Sequence, residues 1–239
     1  NYGYNDNDSL SDGGYIGGFI VRECCEMPSN FMCKGTYGDF LKEKGVVGIQ
    51  GIDTRQLTRK IRDMGNLNGV IYSQGELTEE KKAELLAQTK AFAIRGALKA
   101  VDVDKTYVAA EGTKHVGIIN LGKEKPLVAM AKEMGCKATV ISPFTSAEEV
   151  KAMGLDGVLV SSGCGSYEEN KDVADMICAL SESGLPMLAI GKGFELLAAA
   201  KGATIVKLKY GHHGANHPVK NLKTGRTYIT SHCHSYTVD

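Results

Sequence analysis

A strand, a tight turn and a helix are predicted for the segment MLAIGKGFELLAAAKG, residues 187–202. In α/β enzymes such a turn often carries a catalytic nucleophile, which the N-terminus of the helix activates when it is a thiol. Here the tip of the turn is Gly191, which has no side chain with which to attack a substrate. Loss of the nucleophile from a hydrolase costs roughly 10⁶-fold in turnover, or about 8 kcal/mol of barrier. We therefore predict that this turn carries no catalytic nucleophile.

Cysteine and histidine side chains are the other candidates for chemistry. Cys164 lies in the loop GCGS and Cys233 lies in the run HCH. A relocated nucleophile would need its own base and oxyanion site, and the sequence indicates neither, so both are interpreted as small neutral residues. The runs GHHGANH and HCH also have metal-ligand chemistry. Strand alternation would place His232 and His234 on one side and Cys233 on the other, and no metal site is predicted.

Lys192 opens the helix that follows the turn. A cation in a first helical turn opposes the helix dipole by about 0.3–1 kcal/mol. An ion pair with Glu195, three residues on, explains this position without a ligand. Alternatively, Lys192 and the free backbone amides of the turn bind a carboxylate or a phosphate in a remodelled pocket. The sequence leaves both explanations open.

The bulk composition excludes several functional classes. The chain has 239 residues, of which 43% are hydrophobic and 23% charged, with 28 basic and 28 acidic side chains. This balance gives no net field that favours nucleic acid or an anionic membrane. No apolar run reaches the roughly 18 residues of a membrane span, and no signal peptide is seen. Seven cysteines without a C-x-x-C pair indicate reduced thiols, as in a cytoplasmic protein.

Strands alternate with helices in the second half of the chain. HVGIINL, KATVIS, DGVLVSS and LPMLAI are predicted strands, followed later by ATIVKL and TYITSH. Thr145 and Glu148 are predicted to form a capping box for one helix, and Ser166 with Glu169 to cap the next. Nearly continuous apolar strands separated by helices indicate a mainly parallel sheet covered on both faces. Sites in such sheets lie beyond the carboxyl ends of the strands, where residues 163–165 and 191–193 are expected.

The first half mixes short strands and helices. GGYIGGFIVREC predicts a strand, and helices are predicted in TYGDFLKEKG, in TEEKKAELLAQTKAF and in DTRQLTRKIRDMG, the last capped by Asp53 and Gln56. Arg55, Arg59 and Arg62 share one face of that helix, either as a solvated surface or as part of a docking surface. The predicted organisation is a first domain over residues 1–100, a polar linker over 101–114 and an α/β domain over 115–239.

The motifs together resemble the small subunit of carbamoyl-phosphate synthase. GFIVRE, PSNF and GIDTRQLTRKIR are similar to its N-terminal domain, and KLKYGHHGANHPVKNLKTGR matches a family run written FGHxGxNHPV. ITSHCHSYTVD is similar to the family segment ITSQNHGFAVD. The resemblance implies a partial small-subunit domain followed by a class I glutamine amidotransferase domain. It also implies that GHHGANH is a structural motif, and that further family segments, including the His-Pro-Glu motif with the catalytic base, lie outside this sequence.

The resemblance identifies site positions residue by residue. The family's nucleophile motif, GICLGHQ, appears here as AIGKGFE, so Gly191 stands at the nucleophile position, Gly193 is retained and Phe194 replaces a histidine. The family loop SNGPGDP appears as SSGCGSY, and His234 is retained in the later segment. No catalytic residue is expected to be intact. The implied glutamine-pocket positions are Gly163, Gly165, Lys192, Glu195, Cys233, Ser235 and Tyr236, with Gly193 and His234 nearby.

The resemblance also implies partners and cofactors. A large synthetase subunit is the expected partner, with ATP and Mg²⁺ bound there and no cofactor in this chain. Because several pocket positions differ from the family together, glutamine hydrolysis is predicted to be lost, leaving ammonia-dependent synthesis or a scaffold role. There are two alternatives. The first is a regulatory protein whose pocket binds a small anion. The second is a glutaminase that uses a relocated thiol and whose pocket binds glutamine.

Overall fold

The computed structural model describes residues 3–6, 15–73, 75–101 and 104–239. The chain divides into two compact units, Asn1–Ile94 and Arg95–Asp239. Most of the polar opening, together with the first two residues of the predicted GGYIGGFIVREC strand and part of the predicted linker, lies outside the described residues. None of the helices in the described ranges combines the length and the apolar character that crossing a bilayer requires.

In the residues that the structure describes, the first unit has two short parallel strands and three main helices. The elements are β1 (Phe19–Ile20), α1 (Tyr37–Glu43), β2 (Gly48–Ile49), α2 (Thr54–Met64) and α3 (Glu79–Ala91). Asp53 caps α2 as predicted, because its side chain accepts a hydrogen bond of 2.9 Å from the Gln56 amide. The three arginines of α2 are all exposed.

A five-stranded sheet forms the centre of the second unit. The strands of this unit are β3 (Tyr107–Ala110), β4 (His115–Ile119), β5 (Lys137–Ile141), β6 (Gly157–Val160), β7 (Met187–Ala189), β8 (Ile205–Lys220) and β9 (Thr227–Val238). Its helices are α4 (Ala97–Ala100), α5 (Lys125–Glu133), α6 (Ala147–Ala152), α7 (Lys171–Glu182) and α8 (Lys192–Ala200). The strand order is β3-β5-β4-β6-β7, with only β3 antiparallel to its neighbour. The predicted α/β class with a mainly parallel sheet is confirmed.

Apolar residues cover both faces of this sheet. In β4, Ile119 packs into a core with Val160 and Leu196, whereas its neighbour Ile118 packs on the other face against Leu127. Successive side chains of a strand point to opposite faces, so strands buried on both sides need the nearly continuous apolar runs seen in the sequence. This double burial holds the carboxyl ends of the strands in fixed positions.

Three details differ from the sequence predictions. The predicted linker contains β3, an edge strand that pairs with β5. The two last strands do not join the parallel sheet, since β8 and β9 form a separate antiparallel ribbon. Helix α7 begins later than expected, at Lys171, and its N-cap residue Asn170 makes no side-chain capping bond, although the Ser166 hydroxyl does accept from the Glu169 amide at 3.4 Å.

The capping box of α6 lies one residue after the predicted Thr145–Glu148 pair. Ser146 accepts from the Glu149 amide at 3.3 Å, and the Glu149 carboxylate accepts from the Ser146 amide at 2.9 Å. The Ser146 hydroxyl, which donates to the Glu149 carboxylate at 2.8 Å, and the Ser146 amide hold the pKa of Glu149 below its usual value. The prediction of Thr145 as the cap was wrong. Thr145 and Ser146 both fit the capping-box pattern, and only the backbone geometry distinguishes them.

We predict that Ser146→Ala destabilises the protein by about 1 kcal/mol, because the start of α6 loses its side-chain acceptor. Thr145→Ala, the matched control, should change the free energy of unfolding by less than about 0.5 kcal/mol. Urea denaturation of both variants measures the difference, and equal effects would contradict the assignment.

Candidate functional site

The segments that follow β4, β6 and β7 meet at one edge of the sheet. Gly122 and Gly163 form an isolated bridge between the first two of these segments. The Leu121 amide donates to the Ser161 hydroxyl at 2.8 Å, and the Cys164 amide donates to the Leu121 carbonyl at 3.2 Å. In the turn after β7, Gly191 lies against Ser162. The two predicted loops thus lie at the carboxyl ends of the neighbouring strands β6 and β7, where ligand sites of parallel sheets are found.

Gly163 allows the two loops to approach closely. A Cβ at this position would overlap the carbonyl oxygen of Leu121 and lie 2.6 Å from the Leu121 Cβ. Those atoms belong to a fully buried residue, so they have little room to move. Backbone packing alone therefore requires a glycine at position 163, whether or not the loop binds a substrate.

Gly191 adopts a backbone conformation that other residues rarely enter, with φ 55° and ψ −115°. A Cβ here would overlap the Ser162 hydroxyl and lie 2.9 Å from the Ser162 Cβ. Two residues on, the Gly193 amide donates to the Ile190 carbonyl at 3.0 Å and closes the turn. The turn therefore has the sharp geometry of a nucleophile-bearing turn, and a side chain added at position 191 would meet Ser162.

Lys192 is neutralised within the protein. Its ammonium group forms an ion pair with the Glu195 carboxylate, and the two side chains are only 10% and 8% exposed. The ammonium group also lies 5.1 Å from the centroid of the Tyr236 ring, a distance at which a cation and an aromatic ring attract each other. The i,i+3 partner considered for Lys192 is thus present, and the charge that would attract an anion already has two partners.

A cleft of ≈ 630 Å³ opens beside the turn. Its walls include the predicted positions Gly191, Glu195, Cys233, His234 and Tyr236. The other predicted positions do not line it within the described part of the chain, namely Gly163, Gly165, Lys192, Gly193 and Ser235. Ser235 instead lies with its hydroxyl 3.5 Å from His213 Nε2.

Several cleft residues were not among the predicted site positions. Ser162 and Phe194 flank the turn, and His212 and His232 come from the β8–β9 ribbon. Ser162 directly precedes a predicted loop glycine, which was the available signal for it. The two histidines were visible as ligand-type residues, but their convergence depends on the pairing register of two strands, which the sequence does not specify.

The thiol of Cys164 is poorly suited to act as a nucleophile. Burial raises the pKa of this thiol, and the opposing effects of a backbone hydrogen bond and of Lys192 are smaller. Its sulfur lies 4.0 Å from the Leu121 carbonyl. Because the thiolate is the reactive form of cysteine, a raised pKa leaves the protonated, unreactive form at neutral pH.

Two family descriptions match the chain. "Glutamine amidotransferase class-I" matches residues 117–239, just over half of the chain. "Carbamoyl-phosphate synthase small chain, CPSase domain" matches residues 1–71. The carbamoyl phosphate synthase small chain of Listeria monocytogenes serotype 4b is 38% identical over all of this chain and 65% of its own length. That of Symbiobacterium thermophilum is 36% identical over all of this chain and 67% of its own length.

This chain belongs to the carbamoyl phosphate synthase small chain family. It spans about two thirds of the length of these small chains. A solved structure of a GMP synthase component from Thermoplasma acidophilum aligns with a TM-score of 0.42 and 19% identity, covering 54% of this chain and 68% of that one. That similarity is too low to carry an argument. Membership of the small chain family confirms the resemblance on which Gly191 was assigned to the nucleophile position.

We predict that Gly191→Cys destabilises this small chain by about 1–3 kcal/mol, because a side chain is forced into a strained conformation against Ser162. Ser162→Gly, added to the same protein, should recover part of that loss by removing the atoms it meets. Urea denaturation of the two single variants and the double variant gives the coupling energy. Strictly additive effects would show that Ser162 does not restrict position 191.

We predict that Glu195→Gln costs about 3–5 kcal/mol in the free energy of unfolding, because the buried Lys192 loses its counter-ion. Glu182→Gln is the matched control, since it removes the partner of Lys201 at the other end of α8 in a pair whose side chains are 65% and 44% exposed. That change should lower the free energy of unfolding far less, because solvent screens an exposed pair. Thermal or urea unfolding compares them, and a cost for Glu195→Gln as small as the control's would refute the buried pair.

Proposed function

We propose that this chain is the small subunit of a carbamoyl phosphate synthase that has lost its own glutaminase. Membership of the small chain family supports the first part of this proposal. The observation that carries the loss is Gly191, since the family's nucleophile position has no side chain here and Ser162 fills the adjacent space. A side chain added at this position would adopt a strained backbone conformation and would meet Ser162.

In this proposal the small subunit serves as a scaffold for a large synthetase subunit. The large subunit would bind ATP and Mg²⁺ and would make carbamoyl phosphate from bicarbonate, ATP and free ammonia. Its product would serve arginine and pyrimidine synthesis in the cytoplasm. The exposed arginines of α2, Arg55, Arg59 and Arg62, offer a charged surface for such docking.

The alternative functions have weaker support. The anion sensor was proposed to use Lys192, whereas Lys192 is paired with Glu195 and lies against Tyr236. A relocated glutaminase would need an activated thiol, whereas burial keeps Cys164 protonated. The scaffold role requires neither feature and therefore agrees best with the geometry.

The test is carbamoyl phosphate synthesis by the full-length protein with its cognate large subunit. With ammonia as donor we expect synthesis that depends on both subunits, and with glutamine at least ~10⁵-fold less glutaminase than an intact relative, as expected for a missing nucleophile. Gly191→Cys combined with Ser162→Gly tests whether the turn can be refilled. The control variants Cys164→Ser and Cys233→Ser should leave the ammonia reaction unchanged.

Two results would overturn the proposal. Robust glutamine-dependent synthesis that Cys164→Ser or Cys233→Ser abolishes would mean that the nucleophile has moved. Failure of the full-length chain to associate with the large subunit would remove the scaffold role and favour an independent regulatory protein.

A further inference from the structure

Three histidine side chains converge on one face of the β8–β9 ribbon. His212 pairs directly across the ribbon with His234, and His232 lies two residues before His234 on the same strand. Opposed residues and residues two apart share a face of a β-ribbon. The ring nitrogens that His212, His232 and His234 can offer to a metal all lie within 4.8 Å of one another. This group, called the histidine trio below, forms part of the wall of the cleft beside Gly191.

The hydrogen bond of His234 fixes which of its nitrogens carries the proton. Its Nδ1 lies 2.7 Å from the carbonyl oxygen of Tyr236. A carbonyl oxygen can only accept, so Nδ1 of His234 is the donor. In the neutral ring, Nε2 is then unprotonated, and its lone pair points toward the other two histidines. A backbone carbonyl that orients an imidazole in this way is a common support for a metal ligand.

The proton of His232 is fixed by a short chain of hydrogen bonds. The Thr230 hydroxyl donates its only proton to the His217 carbonyl at 2.9 Å. The same hydroxyl oxygen lies 2.9 Å from Nε2 of His232, so it accepts from that nitrogen. In the neutral ring of His232, Nδ1 is therefore the atom with the free lone pair.

The two assignments leave two lone pairs facing each other. Nδ1 of His232 lies 3.2 Å from Nε2 of His234, and Nδ1 of His212 lies 3.2 Å from the same Nε2. Two neutral acceptors do not attract each other, and a cation bound between them would remove this repulsion; a neutral His212 that donates from Nδ1 to Nε2 of His234 is the alternative. With metal–nitrogen bonds of 2.0–2.1 Å and tetrahedral angles, ligand nitrogens are about 3.3–3.4 Å apart. The observed separations are close to that value.

We propose that His212, His232 and His234 bind one divalent first-row transition metal ion of the Zn²⁺ class. A set of imidazole nitrogens suits Zn²⁺, Ni²⁺ or Cu²⁺, whereas Mg²⁺ and Ca²⁺ prefer oxygen ligands. Three protein ligands leave a fourth position for water or another small ligand. Since the trio lines the cleft, that position faces the space beside Gly191. The proposal departs from the sequence expectation, which was that this chain binds no metal.

A shared proton is the competing explanation of the facing lone pairs. A proton on one of the imidazoles would also let the two nitrogens form a hydrogen bond. It would leave no ligand site for a metal, so titration with metal ions distinguishes the two explanations.

The experiment is titration of the metal-free chain with Co²⁺ and with Zn²⁺ at neutral pH. We expect one Co²⁺ per chain, with the intense visible absorption of a four-coordinate site, and displacement of Co²⁺ by Zn²⁺. His232→Ala and His234→Ala should each weaken binding by ~100-fold or more, because even outer residues of metal sites contribute 10–100-fold. Thr230→Val should weaken it by ~10–100-fold while leaving the three ligands in place.

His213→Ala is the matched control. His213 is an exposed histidine of the same strand, next to His212 and outside the trio, so its removal should change affinity less than ~3-fold, well below the loss at an outer residue. Circular dichroism of each variant verifies that the ribbon is folded. Absence of stoichiometric Co²⁺ binding by the unmutated chain would overturn the proposal, as would equal losses in His213→Ala and His234→Ala.

Discussion

The close contact between the loops after β4 and β6 is the constraint on which the candidate site depends. Gly163 lies against the backbone of Leu121, and hydrogen bonds from Leu121 and Cys164 hold the two loops together. A side chain at Gly163 would push these segments apart. Through this contact Ser162 is held beside the turn after β7. The space beside Gly191 is therefore determined by three loops rather than by one residue.

The polar side chains around this turn bond to one another. In a catalytic turn the residues after the nucleophile leave room for a substrate, whereas here Lys192 bonds to Glu195 and lies over Tyr236. The pair is buried, and buried pairs persist only when each charge is well satisfied. The scaffold of the fold is retained while its polar groups bond to one another.

Much of this architecture followed from the sequence. The buried strands β4 to β7 were predicted because double burial requires apolar runs, and Asp53 because its capping pattern has few alternatives. Ser146 was missed because adjacent residues can satisfy one capping pattern. The edge strand β3 was missed because its four residues, Tyr107–Ala110, form only a short apolar run in a polar segment. At the site, the position of Gly191 at the tip of a strand-to-helix turn was predicted from its place in a motif. The histidine trio was not, because it depends on which residue of β8 lies opposite His234, and irregular pairing shifts that register.

The contact between Gly191 and Ser162 also bears on how such a protein evolves. A cysteine returning at position 191 meets Ser162, while a smaller residue at 162 brings no benefit as long as position 191 lacks a thiol. Under the function proposed above, restoring a thiol at position 191 therefore requires Ser162 or the backbone of the turn to shift as well.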